Sequence, residues 1–340
     1  MKGSAIRIRG GASQIRREAV DVPDPGPGEV RVRVMACGMC GNDIQTIDGA
    51  DPDSVLTPGH EIAGVVDAIG PGVQGWRPGG RVGVGWFGGS CGECDFCRSG
   101  DVVHCAQRRT PGISYPGGWA DMVIVPAAAL FSIPDELSFT QAAPMGCAGV
   151  TTFNAVRWAH LPVGRRVAVL GVGGLGHLAV QFAAKMGYEV IAMARGADRE
   201  GDVLSLGAHH FIDTGTEDPG EALRAAGGAD LILNTAPSAA VGESLLAGLR
   251  VYGQITFIGS DPSAVSIPVS KLMGMGVKIT GQLTGSPRDI EEAMRFALVT
   301  GIRPVTRVYA LDDAADAIAR LREGTVRYRN VLTDEPALAG

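Results

Sequence analysis

The chain has 340 residues, which is long enough for two hydrophobic cores because a single core usually stops growing before about 250–300 residues. Hydrophobic residues make up 45% of the sequence and charged residues 19%, with a formal net charge of −6, as is typical of soluble globular proteins. A net negative charge does not attract the phosphate backbone of a nucleic acid, so we expect no nucleic-acid partner.

The hydrophobic pattern predicts neither a leader nor a membrane span. The N-terminal sequence MKGSAIRIRGG has no apolar run of signal-peptide length, and no run in the chain approaches the ~18 apolar residues of a membrane helix. We therefore expect a cytoplasmic protein. The seven cysteines are an odd number without a secretion signal, which favours free thiols for metal binding or catalysis over a disulfide framework.

The N-terminal half is predicted to be mostly β-structure. Short strand-like segments occupy residues 30–34, 62–69 and 82–84, and pairs of proline and glycine separate them.

Four cysteines lie close together in the sequence CGECDFCRSGDVVHC at residues 91–105. Their spacing is C-x2-C-x2-C-x7-C, and four thiolates this close can surround one ion and leave no position open for a substrate. The pattern therefore predicts a structural zinc site. A disulfide or plain loop is one alternative, and a [4Fe–4S] cluster, which usually has a narrower last spacing, is another. The predicted ligands are Cys91, Cys94, Cys97 and Cys105.

After Cys147 the pattern changes to alternating helices and strands. A helical stretch is followed by an apolar strand at 167–171, a helix at 175–186 and a strand at 189–194, and the alternation continues to residue 260. Alternation of this kind predicts βαβ units and a parallel sheet. The helices RDIEEAMRFALVTG and LDDAADAIARLREG and the strand RNVLTD are predicted to complete the fold.

A glycine-rich loop joins the first strand of this half to its helix. The sequence GVGGLG fits the pattern G-x-G-x-x-G, in which glycines permit a tight turn and let a pyrophosphate approach the helix N-terminus. The order of strand, turn, helix and second strand predicts dinucleotide binding, and a coincidental tight turn is the alternative. The predicted contacts are Gly171, Gly173, Gly174, Leu175 and Gly176.

The end of the second strand indicates which dinucleotide binds. An NAD site usually has an Asp or Glu there that binds the ribose 2′-hydroxyl, whereas this chain has Ala194 followed by Arg195. A guanidinium pairs well with a 2′-phosphate, so the sequence predicts NADP. The alternative is that Arg195 is an ordinary surface residue of the loop.

The remaining cysteines are dispersed and form a second set of candidate ligands. Cys37 and Cys40 lie in ACGMCGND, Cys147 lies in APMGCAGVT, and PGHE between them contains His60 and Glu61. A catalytic zinc ion takes three protein ligands and keeps one position open, and two cysteines with one histidine are a known set.

The order of these motifs carries a resemblance to a known family. The chain contains, in order, ACGMCGND, TPGHE, GWFGGSCGECDFCRSGDVVHC, GGWADMVIVP, APMGCAGVTTFNAV, GVGGLGH and VRYRNVL. This series resembles that of the zinc-dependent alcohol dehydrogenases of the medium-chain dehydrogenase/reductase family. The resemblance implies an α/β fold: a doubly wound Rossmann cofactor domain at 151–284, and a β-rich GroES-like catalytic domain from residues 1–150 and 285–340. The active site is expected in the cleft between the two domains.

The same resemblance implies roles for the dispersed residues. Cys40, His60 and Cys147 would hold the catalytic zinc ion, with Glu61 beside it, either just outside the ligands or as an exchangeable ligand. Asp43 would orient the ligand histidine, as carboxylates commonly do around zinc.

Further positions match cofactor and substrate contacts of the family. Thr151 matches a contact to the nicotinamide, and Arg329 matches an arginine that reaches the cofactor phosphates. Trp86 and Trp119 match positions of the substrate pocket, although an ordinary core position is the alternative for each. Cys37 matches a position that is not a ligand, so we expect a small buried hydrophobic residue there.

One position departs from the family pattern. Family members commonly place Ser or Thr two residues after the first ligand to pass on the alcohol proton, whereas this chain has Gly41 and Asn42. An amide can bind an oxygen but does not readily accept and release a proton. We therefore expect Asn42 to position the substrate oxygen, with water or Glu61 carrying the proton.

Together these features predict an NADP-dependent alcohol dehydrogenase with two zinc ions per chain that works as an aldehyde or ketone reductase. By resemblance, it is expected to be a homodimer or homotetramer. Two alternatives stay open: a reductase of an activated C=C or C=N bond, and a cofactor-binding protein without turnover.

Overall fold

The chain divides into two units in the computed structural model, which describes residues 1–10, 14–236 and 242–334. The first unit comprises Met1–Val150 with Thr284–Gly340, and the second comprises Thr151–Leu283. None of the helices in the described part of the chain is long and apolar enough to cross a membrane.

The strands are numbered in chain order. They are β1 (Lys2–Arg9), β2 (Gln14–Asp21), β3 (Glu29–Met39), β4 (Val55–Leu56), β5 (Glu61–Ile69), β6 (Arg81–Val84), β7 (Met122–Pro126), β8 (Leu130–Ser132), β9 (Arg166–Leu170), β10 (Glu189–Ala194), β11 (His210–Asp213), β12 (Ala229–Asn234), β13 (Leu249–Phe257), β14 (Lys278–Gly281), β15 (Thr306–Ala310) and β16 (Arg329–Thr333).

The helices are numbered in the same way. They are α1 (Gly41–Asp48), α2 (Asp95–Arg98), α3 (Phe139–Ala142), α4 (Ala148–Arg157), α5 (Gly176–Lys185), α6 (Glu200–Ser205), α7 (Pro219–Ala225), α8 (Gly242–Ala247), α9 (Val269–Met275), α10 (Pro287–Thr300) and α11 (Ala314–Arg322).

Strand β3 organises the first unit. The N-terminal part of β3 pairs with β7 and its C-terminal part with β16, while β5 runs antiparallel along its other side. Val30 and Val32 are fully buried, as the alternation VRVRV predicts for one face of a sheet. This register brings the end of β3 and the starts of β5 and β16 together. The sheet has the order β15-β16-β3-β5-β6-β8, and β2-β1-β4 form a smaller sheet.

The second unit is built around a parallel sheet with the order β11-β10-β9-β12-β13-β14. Val167, Ala168 and Val169 in β9 are all fully buried, as expected for a central parallel strand covered on both faces. Helix α5 connects β9 to β10, the arrangement of a βαβ unit. The predicted α/β fold class, with a doubly wound cofactor domain and a β-rich domain, is confirmed.

Candidate metal centres and cofactor loop

Cys40 lies between β3 and α1 and caps the helix. Its backbone is extended (φ −130°, ψ 170°), and its Sγ accepts a hydrogen bond from the Asn42 N–H at 3.3 Å. In return, the Asp43 carboxylate accepts a hydrogen bond from the Cys40 N–H at 2.9 Å. This reciprocal pair is a capping box in which sulfur replaces the usual hydroxyl, and it fixes the Cys40 side chain at the buried end of β3.

Asp43 connects this cap to His60. Its Oδ1 accepts a hydrogen bond from the Gly59 N–H at 3.2 Å and lies 3.1 Å from His60 Nδ1. His60 Nε2 is 3.1 Å from Cys40 Sγ. Because Nδ1 faces a carboxylate, it carries the proton, and Nε2 is the nitrogen that a metal ion would bind.

Glu61 and Arg329 form a buried ion pair between the first residues of β5 and β16. Burial raises the pKa of Glu61 to about 8, although the Arg329 guanidinium acts in the opposite direction. Within the described residues, the second carboxylate oxygen, Oε2, is buried and has no hydrogen-bond partner. An orphaned buried oxygen is costly, and a metal ion would satisfy it.

Four ligand atoms converge at this place. The donor atoms of the group all lie within 4.8 Å of one another. The Cys147 thiol holds the pKa of Cys40 well below its usual range by hydrogen bonding, and His60 acts in the same direction. Two sulfurs with an imidazole and a carboxylate suit zinc, so these side chains fit the ion. The group consists of Cys40, His60, Glu61 and Cys147.

The cysteine run forms a second group of four donors. The Sγ atoms of Cys94 and Cys97 are 3.5 Å apart, and Cys91 Sγ lies 3.6 Å from that of Cys105 and 3.9 Å from that of Cys97. Four sulfurs around one zinc ion at its usual bond length lie about 3.8 Å apart. All four cysteines are free thiols, so this group fits a zinc ion and not a disulfide.

The glycine loop between β9 and α5 leaves no space for a side chain at Gly176 but leaves open space at Gly173. Gly171 has φ +86°, and its N–H donates to the Met193 carbonyl at 2.8 Å. A Cβ added at Gly176 would lie 2.0 Å from the Gly171 oxygen, whereas one added at Gly173 would meet nothing within 4 Å. Close packing of the helix on the strand, with an exposed glycine at position 173, is the arrangement that a pyrophosphate site needs.

Two arginines follow β10. Arg195 is exposed and makes no hydrogen bond or ion pair with the rest of the described chain. Arg199, which the glycine pattern did not single out, donates from Nη2 to the Val172 carbonyl in the glycine loop at 2.6 Å. A second arginine four residues after Arg195 was the signal available in the sequence. The Arg199 guanidinium is therefore held against the loop, whereas Arg195 is exposed.

The other residues expected to contact the cofactor are buried. Thr151 donates its hydroxyl to the Leu283 carbonyl at 3.4 Å, and the Arg329 guanidinium is paired with Glu61. The structure thus places Arg329 beside the candidate donor group of the first unit, as the ion-pair partner of Glu61. Contacts of these two residues with nicotinamide or phosphate stay predictions.

The two tryptophans differ in their surroundings. Trp119 is 0% exposed and lies in the core, where a Cβ added at Gly59 would be 2.4 Å from its ring, so the structure favours the core alternative. Cys37 is buried in the same core cluster. Trp86 is half-buried, and its indole N–H donates to Asn42 Oδ1 at 3.3 Å. Trp86 thus makes a polar contact two residues after Cys40, whereas Trp119 packs against Gly59, directly before His60.

Gly38 is a site residue that the motif pattern did not reveal. It lies opposite Glu61 in the ladder between β3 and β5. A Cβ added at Gly38 would lie 2.0 Å from Glu61 Oε2, so the carboxylate occupies the space that a side chain would fill. A glycine inside a strand often marks such a close approach.

We expect Gly38→Ala to lower the free energy of unfolding by about 3 kcal/mol, because displacing the Glu61 carboxylate breaks its buried pair with Arg329. Chemical denaturation of the purified variant measures this change. Gly41→Ala is the matched control, since a Cβ there meets nothing within 4 Å, and its stability should change by less than about 0.5 kcal/mol. Equal stability of the two variants would show that the Glu61 carboxylate tolerates displacement.

Comparison with known proteins assigns the chain to a family. Residues 26–135 match the family described as alcohol dehydrogenase GroES-like domain, and residues 174–298 match the zinc-binding dehydrogenase family. The chain is 41% identical over 320 residues to the alcohol dehydrogenase patD of Penicillium expansum, with 93% of each chain covered. It is 34% identical to the NADP-dependent alcohol dehydrogenase C of Mycobacterium bovis, covering 91% of this chain and 92% of that one.

A solved structure agrees with these sequence matches. The cinnamyl alcohol dehydrogenase SbCAD4 of Sorghum bicolor superimposes with a TM-score of 0.89 at 28% identity, covering 100% of this chain and 98% of that one. The two family matches, the relatives aligned over more than nine-tenths of the chain and the shared fold all point to the family that the motifs indicate. The chain therefore belongs to the alcohol dehydrogenases of the medium-chain dehydrogenase/reductase family, oxidoreductases that act on small molecules.

Proposed function

We propose that the chain is a zinc-dependent reductase that transfers a hydride from NADPH to an aldehyde or ketone. The observation that carries this proposal is the convergence of four donor side chains in the buried group of the first unit. When bound, a zinc ion supplies a Lewis acid and the nicotinamide supplies the hydride.

The side chains around this group have separate tasks in the proposal. Asp43 fixes His60 in the tautomer that presents Nε2. Asn42, which follows Cys40 by two residues, positions the substrate oxygen in place of the hydroxyl that relatives commonly have. Glu61, which lies in the same buried donor group, or water supplies the proton to the product oxygen.

The preference for NADP rests on the end of β10. Ala194 and Arg195 stand where an NAD site usually has a carboxylate, and Arg195 is exposed. Arg199, held against the glycine loop, adds a second positive charge to the same segment. A charge-assisted pair between guanidinium and phosphate favours the 2′-phosphorylated cofactor. The NADP-dependent relative of Mycobacterium bovis supports the same choice.

We expect kcat/KM for benzaldehyde reduction to be at least about tenfold higher with NADPH than with NADH, a discrimination of about 1.4 kcal/mol. Arg195→Ala should lower the value with NADPH about tenfold and leave that with NADH unchanged. Steady-state kinetics with both cofactors measures these ratios. Preference for NADH in the unchanged protein would refute the cofactor proposal, and no turnover with either would favour activated C=C or C=N substrates.

The control for this experiment is Arg224→Ala. Arg224 is an exposed arginine of the same unit that pairs with Glu221 in α7, away from the β10 segment in sequence. Because its guanidinium pairs locally, its removal should alter neither ratio. A loss of NADPH preference in this variant would show that general positive charge, and not Arg195, sets the preference.

We also expect two zinc ions per chain in protein purified without chelator. Cys97→Ser should retain about one, because a tetrathiolate site loses most of its affinity with one ligand. Elemental mass spectrometry gives the zinc content of each variant. Cys37→Ser is the control, since Cys37 lies outside both donor groups and its variant should keep two ions. One ion in the unchanged protein would contradict the proposal.

A further inference from the structure

Trp86 donates two hydrogen bonds to residues close in sequence to ligands of the buried donor group. Its backbone N–H donates to the Gly146 carbonyl at 3.2 Å, directly before the candidate ligand Cys147. Its indole Nε1–H donates to Asn42 Oδ1 at 3.3 Å, and the Asn42 backbone N–H donates in turn to Cys40 Sγ. Trp86 therefore connects Gly146, directly before Cys147, with Asn42, two residues after Cys40.

The indole determines which way the Asn42 amide points. A tryptophan N–H can only donate a hydrogen bond, so the atom of the amide that faces it must be the carbonyl oxygen. With Oδ1 engaged in this way, the group of the half-buried side chain left for a ligand is the NH2. Asn42 then presents a donor group, which suits an oxygen that gains negative charge during reduction.

Arg108 contacts the ring face of the Trp86 indole. The Arg108 guanidinium lies 4.7 Å from the centre of the Trp86 ring, in a cation–π contact. Its Nη1 also donates to the Val103 carbonyl at 2.6 Å, two residues before Cys105 of the cysteine group. The loop that carries the four cysteines is thus joined through Arg108 and Trp86 to Asn42.

We propose that Trp86 is a positioning residue that holds the Asn42 amide with its NH2 toward the substrate oxygen, and that Arg108 anchors Trp86 to the cysteine loop. The inference rests on the proposed reductase function, since it assigns the donor for the carbonyl oxygen. It gives Trp86 a task other than forming a wall of the substrate pocket.

A double-mutant cycle on Trp86 and Asn42 tests this inference. Trp86→Phe keeps an aromatic ring under Arg108 but removes the N–H donor. We expect it to lower kcat for benzaldehyde reduction about tenfold and to leave KM for NADPH within about twofold. Asn42→Ala should lower kcat about a hundredfold, the usual effect of losing one donor to a developing oxyanion. Adding Trp86→Phe to the Asn42→Ala chain should then cause no further loss.

Two outcomes would overturn the inference. Equal losses from Trp86→Phe in both backgrounds would show that Trp86 acts independently of Asn42, as a pocket wall does. No loss in either background would show that the amide needs no support. Phenylalanine conserves most of the ring volume, and the zinc content of each variant shows whether the donor groups are intact.

Substitutions of Arg108 and of its neighbour Arg109 test whether Arg108 anchors Trp86, with Arg109 as the control. Arg109 makes the same kind of contact with a different ring, its guanidinium lying 4.6 Å from the centre of Tyr115. Arg108→Leu should lower kcat about threefold, because it loosens the indole but removes no donor. Arg109→Leu should leave kcat unchanged, and equal effects of the two changes would remove Arg108 from the inference.

Binding of N-benzylformamide separates this inference from the proposed function. The compound presents a carbonyl oxygen but is not expected to accept a hydride, and calorimetry on zinc-loaded protein measures its affinity. We expect about tenfold weaker binding in both Trp86→Phe and Asn42→Ala. This pattern in a protein without aldehyde turnover would refute the reductase proposal alone. Aldehyde turnover with equal formamide affinity in all three proteins would refute the inference alone, and neither turnover nor binding in the unchanged protein would refute both.

Discussion

The Asp43 carboxylate is the buried charge on which the first unit's donor group depends. It is 2% exposed and satisfies two backbone N–H groups, those of Cys40 and Gly59, as well as the His60 ring. These contacts tie the start of α1 to the segment before β5, so one side chain positions two candidate ligands from separate elements. Such a carboxylate is stable only because every partner is present, and losing one would leave a buried group unpaired.

The two donor groups are built in opposite ways. The cysteine group takes its ligands from fifteen consecutive residues around the single turn of α2, and three of its four cysteines are only partly buried. The group around Cys40 gathers residues from the end of β3, the start of β5 and the turn before α4, and lies where the sheet register brings these ends together. The first depends on local chain geometry, whereas the second depends on the folded sheet.

This difference explains which features could be predicted from the sequence. The spacing of Cys91 to Cys105 and the glycine loop are local, so their residue types alone indicate the chemistry. The pairing of Glu61 with Arg329 joins residues 268 positions apart, and the Gly38 contact depends on strand register. Neither long-range contact can be read from periodicity.

Aromatic residues show the same limit. Trp86 and Trp119 both follow glycines in apolar stretches, and nothing in their local sequence distinguishes a core position from one beside a ligand. Their burial is decided by packing partners far away in the chain. The link from Arg108 to Trp86 was equally hidden, because an arginine after a cysteine run usually suggests only a solvated surface.

The glycines around the donor group differ in the freedom that they leave to mutation. Gly38 and Gly59 leave no space for a side chain, since an added Cβ would lie 2.0 Å from the Glu61 carboxylate or 2.4 Å from the Trp119 ring. Gly41 is between Cys40 and Asn42, yet a side chain there would meet no atom within 4 Å. A side chain can therefore be introduced at position 41 without displacing a neighbour, whereas one at position 38 or 59 would have to displace Glu61 or Trp119.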